Sequence, residues 1–130
     1  MTSRLTGAIA IVTGASSGIG AATARRLAKE GASVAVVARR KDRLDALVAE
    51  IEGAGGNAFA VTADISVRQQ AEASVHAVID RFGRLDILVN NAGLMLLGSI
   101  VGADVEEWNA CSPSMCRACC TSRPRRCRIF

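Results

Sequence analysis

Short apolar runs alternate with longer helical repeats over the first 90 residues of the chain. The runs cover residues 8–13, 33–38, 57–62 and 85–90, and each is only six residues long. The first of them, AIAIVT, leads directly into a glycine-containing turn. Short continuous apolar runs of this kind are typical of strands that are buried on both faces of a parallel sheet. We therefore predict four strands at these positions.

Apolar residues between the predicted strands recur every three or four positions, which predicts three helices that each bury one face. The first covers residues 19–30, ends before Gly31 and has this periodicity at Ile19, Ala22, Thr23 and Leu27. The second covers residues 41–52, with an apolar face formed by Leu44, Leu47, Val48 and Ile51. The third runs to about residue 82 from a candidate N-cap at Ser66 and points inward with Val75, Val78, Ile79 and Phe82. A further helical turn is predicted from Asp104 to Trp108.

The regular alternation of strand and helix predicts βαβ units, a parallel sheet and right-handed crossovers. A chain of 130 residues is long enough for one domain. Half of its residues are hydrophobic and its mean hydropathy is +0.27, which excludes global disorder. No apolar run approaches the roughly 20 residues of a membrane span, and residues 1–6 form no signal region. We expect a cytoplasmic protein without a membrane partner.

Charge and cysteine content change abruptly near Asn109. The net charge is +4, but residues 1–109 balance at −1 and residues 110–130 at +5. All five cysteines also lie in this last stretch, which has five arginines and no acidic residue. The basic character therefore belongs to the tail and indicates nothing about the partners of the main body.

The candidate chemistry begins where the first predicted strand meets the first helix, in the segment TGASSGIG at residues 13–20. Gly14 permits a tight turn, Gly18 lets the backbone approach a pyrophosphate, and Gly20 allows close packing of helix on strand. A helix N-terminus that points unpaired N–H groups at this loop favours an anion. A glycine-rich turn without a ligand is the alternative, but the position between a strand and a helix favours dinucleotide binding.

Three elements, in order and at the expected spacing, resemble those of the short-chain dehydrogenase/reductase family. TGASSGIG resembles the family's TGxxxGxG fingerprint, and Asn90-Asn91-Ala92-Gly93 resembles its NNAG element. Asp64, after the third strand, matches the acidic residue that the family places beside the adenine. The resemblance runs continuously over residues 5–109.

The resemblance implies a role for each matching position. The residues expected to cradle the adenosine and pyrophosphate are Gly14, Ser16, Ser17, Gly18, Ile19 and Gly20. Asp64 would accept a hydrogen bond from the adenine amino group, with Ile65 beside it. Asn91 would lie closest to the cofactor path. A solvated loop acid at Asp64 and a plain turn at Asn91 are the alternatives.

The expected cofactor is NADP, with NAD less favoured. NAD-binding sites of this type usually have an acidic residue after the second strand that holds the ribose hydroxyls. This chain has Arg39 and Arg40 there, and no acidic residue before Asp42. Arginine suits a 2′-phosphate because it forms charge-assisted, often bidentate bonds to it. The alternative is that these arginines only form a solvated helix start.

The family resemblance also implies a catalytic Tyr-x-x-x-Lys pair, in which tyrosine is the general acid/base. The chain contains no tyrosine, and its two lysines, Lys29 and Lys41, lie in the cofactor half. We expect the family activity, hydride transfer between a nicotinamide and an alcohol or carbonyl, to be absent from this chain by itself. By family the function is NADP-dependent oxidoreduction, and the alternatives for this chain are a non-catalytic dinucleotide-binding fragment or a frameshift product.

The tail, residues 110–130, does not resemble the family, and three explanations compete. Zinc binding would need more than the one C-x-x-C unit at 116–119. A basic tail would bind polyanions weakly and without specificity for a nucleic acid. The third explanation is translation in another frame. In this frame the third base of each codon is read together with the first two bases of the next codon. The codon formed in this way at Cys116 must encode valine, and the one at Cys120 must encode leucine. One choice of the remaining bases yields an apolar helix with an Asn-Val-x-Gly element.

The expected architecture is therefore a truncated Rossmann-type, doubly wound α/β sheet with strand order 3-2-1-4, incomplete on one side. Residues 1–109 would form the nucleotide-binding half and residues 110–130 an out-of-frame tail. Two helices should cover one face and one helix the other. The fourth strand should form an exposed apolar edge. The interfaces of the family's homo-oligomers should be largely missing.

Overall fold

The computed structural model describes residues 3–92 and the backbone of residues 128 and 129. Four strands and three helices alternate along the first of these segments, and a short strand forms the second. The strands are β1 (Ile9–Thr13), β2 (Ser33–Ala38), β3 (Asn57–Thr62), β4 (Ile87–Val89) and β5 (Arg128–Ile129). The helices are α1 (Gly18–Lys29), α2 (Lys41–Gly53) and α3 (Arg68–Phe82).

All strand pairs are parallel, and the sheet has the order β3-β2-β1-β4-β5. The predicted Rossmann-type sheet with strand order 3-2-1-4 is therefore confirmed. The central strand β1 has no exposed residue, as its apolar sequence predicts for a strand covered on both faces. From β1 the chain continues to β2 and β3 on one side and then crosses over to β4 on the other side of β1. The strand order of a doubly wound sheet reverses at such a position.

Two hydrophobic clusters cover the two faces of the sheet. The apolar residues of α1 and α2 pack on one face, around Val12, Val34 and Val36. Helix α3 packs on the other face, around Ile11 and Val37. The expected division, two helices on one side and one on the other, is confirmed in the described residues.

The buried face of α1 differs from the predicted one. Ile19 is 77% exposed and Ala22 is also exposed, whereas the buried positions are Gly20, Ala21, Ala24 and Ala28. Small side chains at these positions let α1 approach the sheet closely. The helix therefore turns its smallest residues toward the sheet, and not its largest apolar residue.

Two further expectations are wrong. Val67, and not Ser66, is the residue that precedes the first turn of α3, and Ser66 bonds to Asp64 instead. The edge of β4 is also not open along its whole length, because Ile87 and Leu88 pair with residues 128 and 129. This strand has only two residues, Arg128 and Ile129, which is too short for a pattern of apolar positions to reveal it.

The predicted turn from Asp104 to Trp108 and the C-x-x-C unit at 116–119 lie outside the described residues. In the part of the chain that the structure describes, no helix has the length and apolar character needed to cross a bilayer.

Candidate functional site

The candidate site lies at the carboxyl ends of four neighbouring strands. The ladders align Thr13 with Val37, Val37 with Val61, and Val12 with Val89. The strands therefore end nearly level, and the loops that follow them meet along one edge of the sheet. This edge brings together the glycine turn after β1, the arginines after β2, the Asp64 loop after β3 and Asn91 after β4.

Two of the three motif glycines pack against other backbone. Gly14 has a φ of +64°, and a Cβ there would lie 2.8 Å from the Cα of Ala92. A Cβ on Gly20 would collide with the carbonyl oxygen of Gly14 and lie 2.6 Å from the side-chain nitrogen of Asn91. A side chain at either position would thus separate α1 or the turn from its neighbours.

Gly18 is different because its surroundings are open. Its φ is +56°, yet a Cβ there would meet no heavy atom within 4 Å. Gly18 is also the first residue of α1. The N–H groups of a helix's first turn, that of Gly18 included, have no acceptor within the helix. An exposed, positively polarised backbone therefore faces open space at this point of the turn.

The first turn of α1 carries no charge that would compete with an anion. The preceding residue, Ser17, forms no side-chain cap hydrogen bond, and the turn contains no acidic residue. Ser17 and Ile19 are exposed and Ser16 is half-buried, so all three border the same open side. This arrangement can accept a phosphate without displacing an internal bond.

Thr13 and Asn91 join the glycine turn to the end of β4. The Thr13 hydroxyl accepts from the backbone N–H groups of Asn91 (3.1 Å) and Ala92 (3.0 Å), and donates to the Val89 carbonyl (3.3 Å). The Asn91 side-chain amide donates to the carbonyls of Thr13 (3.2 Å) and Gly14 (3.3 Å). Since Thr13 is fully buried, these bonds hold the two loops in one fixed arrangement.

Arg39 and Arg40 follow β2 and are both exposed. Arg40 has a loose ion pair with Asp42, at 3.8 Å between Nη2 and Oδ2. Arg39 lies near enough to Asp64 for its charge to act on that carboxylate. Both side chains are therefore exposed at this edge of the sheet, and Arg40 is the one that pairs with the start of α2.

The carboxylate of Asp64 is held within its own loop. Its Oδ1 accepts from the hydroxyl (2.6 Å) and the backbone N–H (3.0 Å) of Ser66. The Ser66 hydroxyl, followed by the Ser66 N–H, lowers the pKa of Asp64; burial opposes this shift and the charge of Arg39 adds to it. Ile65, beside Asp64, is half-buried and packs against the α3 side of the core.

Sequence reasoning singled out neither Thr13 nor Gln70 as a site residue. The backbone N–H of Asp64 donates to Oε1 of Gln70, at 2.8 Å. Thr13 was visible as the first residue of the fingerprint, but its partners are 76 to 79 positions away. Gln70 is one of two adjacent glutamines, and no pattern distinguishes it from Gln69. The described residues contain no group of three or more residues that could hold a metal ion.

Comparison with known proteins adds the family context. The model of the family described as short chain dehydrogenase matches residues 8–118, nine positions past Asn109. An uncharacterized oxidoreductase of Methylorubrum extorquens is 52% identical over 107 residues, covering 82% of this chain and 43% of the relative. A 3-oxoacyl-[acyl-carrier-protein] reductase of Thermotoga maritima is 40% identical over 107 residues, covering 82% of this chain and 44% of the relative.

A solved structure is similar over nearly the whole chain. It is a short chain dehydrogenase from Burkholderia cenocepacia in complex with NADP, with a TM-score of 0.79 and 39% identity. The match covers 91% of this chain and 51% of that protein. The chain thus spans less than half the length of the two relatives above and about half of this structure.

Proposed function

The chain belongs to the short-chain dehydrogenase family, and on that premise we propose that residues 1–109 bind a nicotinamide dinucleotide at the carboxyl edge of the sheet. The observation that carries the proposal is the contrast among the glycines of the turn. Gly14 and Gly20 are needed for internal packing, whereas Gly18 opens to solvent at a helix N-terminus. A glycine with a left-handed φ and no neighbour to avoid suits a ligand that approaches the backbone closely.

The described residues fit such a cofactor. The pyrophosphate would lie on the first turn of α1, held by the backbone from Ser16 to Gly20. Gly14 keeps the turn tight beneath it, and Ser16, Ser17 and Ile19 border the open side. When bound, the nicotinamide supplies or accepts a hydride. The chain's own contribution is to bind the phosphates and to keep Asn91 fixed beside the turn.

The other end of the dinucleotide would occupy the edge above β2 and β3. Asp64, kept ionised by its Ser66 bonds, would accept from the adenine amino group, and Ile65 would offer an apolar contact. Arg39 and Arg40 would hold a 2′-phosphate, which makes NADP the preferred cofactor over NAD. The NADP bound to the similar Burkholderia structure supports this preference.

The reaction of the whole family member is proposed to be hydride transfer between NADP and an alcohol or carbonyl compound. These 130 residues contain no tyrosine and therefore no Tyr-x-x-x-Lys pair. We propose that they bind the cofactor without transferring hydride by themselves. The different names of its relatives support no particular substrate.

Binding of NADP and NAD to the full 130-residue chain, measured by calorimetry, tests the cofactor assignment. Arg39→Ala and Arg40→Ala, singly and together, should weaken NADP, since each charged hydrogen bond lost costs about tenfold in affinity. NAD affinity should not change. Arg26→Ala is the matched control, because Arg26 pairs with Glu30 in the last turn of α1, at the other end of that helix. Equal affinity for the two cofactors, or an unchanged NADP affinity in the double variant, would refute the preference for NADP.

An assay of NADPH oxidation with a panel of carbonyl compounds tests the proposed lack of activity. No turnover above background is expected. Turnover that disappears in Gly18→Asp would show that these residues catalyse the reaction and would overturn this part of the proposal.

We further propose that residues 110–130 are translated in a frame other than that of residues 1–109. The forced valine and leucine of the shifted frame support this explanation. Nucleotide sequencing downstream of codon 109 tests it. A shifted frame that stays open and encodes Ser and Tyr-x-x-x-Lys is expected; its absence would leave the zinc-binding and basic-tail explanations.

A further inference from the structure

We propose that Gln70 is a positioning residue that sets the adenine selectivity of the site by holding the Asp64 loop. The inference rests on the proposed function, since it concerns how the adenine end of the dinucleotide is recognised. Gln70 would act only through Asp64 and would not touch the cofactor.

The key contact crosses six positions of the chain. The backbone N–H of Asp64 donates to the side-chain oxygen of Gln70 at 2.8 Å. Gln70 is the third residue of α3, a position from which a glutamine commonly reaches back to the helix's own N-cap. Here the N-cap is Val67, which makes no side-chain cap bond, and Gln70 reaches past it to Asp64, the second residue after β3.

The helix that carries Gln70 is firmly anchored. The Ser74 hydroxyl donates to the Gln70 carbonyl at 2.8 Å, and Ser74 is buried. Ala71, Val75 and Val78 of the same helix are completely buried against the sheet. Gln70 itself is exposed, and its bond connects the loop to a helix whose inner face is packed against the sheet.

The loop in turn fixes the direction of the carboxylate. Both Ser66 hydrogen bonds to Asp64 end on Oδ1, so the group cannot rotate without losing them. The Val67 N–H also donates to the Asp64 carbonyl at 3.1 Å, which closes the turn. With Oδ1 engaged inside the loop, Oδ2 is the oxygen available to a ligand at the sheet edge. Moving the Asp64 backbone would move that oxygen.

A fixed acceptor distinguishes two bases of nearly the same shape. Adenine presents an amino donor at its sixth position, whereas hypoxanthine presents a carbonyl acceptor there. An ionised carboxylate attracts the first and repels the second. Selectivity between NADP and its hypoxanthine analogue thus reports the position of Asp64, which a change in fold stability alone would not alter.

The experiment measures, by calorimetry on the full 130-residue chain, the affinities of NADP and of nicotinamide hypoxanthine dinucleotide phosphate. The unaltered chain should prefer NADP by about tenfold, which is the lower end of the range expected for one hydrogen bond to a charged group. Gln70→Leu removes the acceptor at similar volume and should reduce the preference to about twofold, because the carboxylate is no longer held in position. Gln70→Glu keeps an acceptor oxygen and should restore the preference. Gln69→Leu, an exposed neighbour, is the matched control and should behave as the unaltered chain.

Amide hydrogen exchange provides a second readout that needs no cofactor. The Asp64 N–H should exchange faster in Gln70→Leu, with its rate recovered in Gln70→Glu and unchanged in Gln69→Leu. If NADP binds and Gln70→Leu keeps the full preference, the positioning role is wrong while the proposed function stands. If the unaltered chain binds neither dinucleotide, the proposed function is overturned, and the selectivity role with it.

Discussion

The side-chain nitrogen of Asn91 lies 3.3 Å from the carbonyl oxygen of Gly14, although the two residues are 77 positions apart. The same carbonyl is the atom that a Cβ on Gly20 would strike. The end of β4, the glycine turn and the start of α1 therefore meet at one point. Substitutions at the glycines of this turn therefore distinguish residues needed for packing from residues needed for ligand binding.

Gly20→Ala should destabilise the protein by about 1–3 kcal/mol, the usual cost of forcing an extra methyl into a packed site. The added Cβ would collide with Gly14 and Asn91, and backbone cannot move aside as a flexible side chain does. Urea denaturation measures the change. Gly53→Ala is the control: its Cβ would meet nothing within 4 Å, and stability should stay the same or rise by up to about 1 kcal/mol. Equal effects of both changes would contradict the packing argument.

Gly18→Ala should lower NADP affinity, and it should destabilise the protein by about as much as Gly55→Ala does. The positive φ gives a strain of about 1 kcal/mol, and the Cβ would enter the space proposed for the pyrophosphate. Gly55→Ala carries the same kind of strain, with φ +83° and nothing within 4 Å, but lies after α2. Calorimetry should find NADP weakened by about tenfold or more in the first variant only. A similar loss in both would mean that strain, and not the site, governs binding.

Thr13→Val should cost about 1–3 kcal/mol in free energy of unfolding, because it removes a buried hydroxyl and leaves half-buried backbone groups without their partner. The hydroxyl bonds to the backbone of Val89, Asn91 and Ala92, and valine has the same shape without it. Thr62 ends β3 at the same edge of the sheet but is exposed, so Thr62→Val should stay within about 0.5 kcal/mol of the unaltered chain. Thermal or urea unfolding distinguishes the two. A Thr13→Val chain as stable as Thr62→Val would show that the hydroxyl does not join the loops.

Ser66→Ala should destabilise the protein at neutral pH and have less effect in acid. The Ser66 bonds lower the pKa of Asp64 in the folded state, so their contribution is complete above the unfolded pKa of about 4. It is lost as the pH falls through the lower folded-state pKa. The difference in unfolding free energy between the two chains should therefore shrink below about pH 4. In an Asp64→Asn background the effect of Ser66→Ala should not depend on pH; a dependence that remained would assign it to another group.

Much of the fold followed from patterns that lie within single segments. The apolar runs predicted the four main strands to within about two residues of their observed ends. The Leu44, Leu47 and Ile51 repeat correctly identified the buried face of α2. In α1 the same reasoning pointed to Ile19, which is exposed, because the closeness of helix and sheet mattered more than hydrophobicity.

The sequence by itself determined the alternation of strands and helices and the residues that form the glycine turn, since both depend on local periodicity and on the conformations open to glycine. Only the tertiary structure decided which atoms meet at the site. The hydrogen bonds that Ala92 donates to Thr13 and Asn91 donates to Gly14 join segments far apart in the chain, and their geometry depends on how β1 and β4 pair. The role inferred for Gln70 and not for Gln69 has the same origin: adjacent residues of one helix point in different directions, and only the packing of that helix determines which of them reaches Asp64.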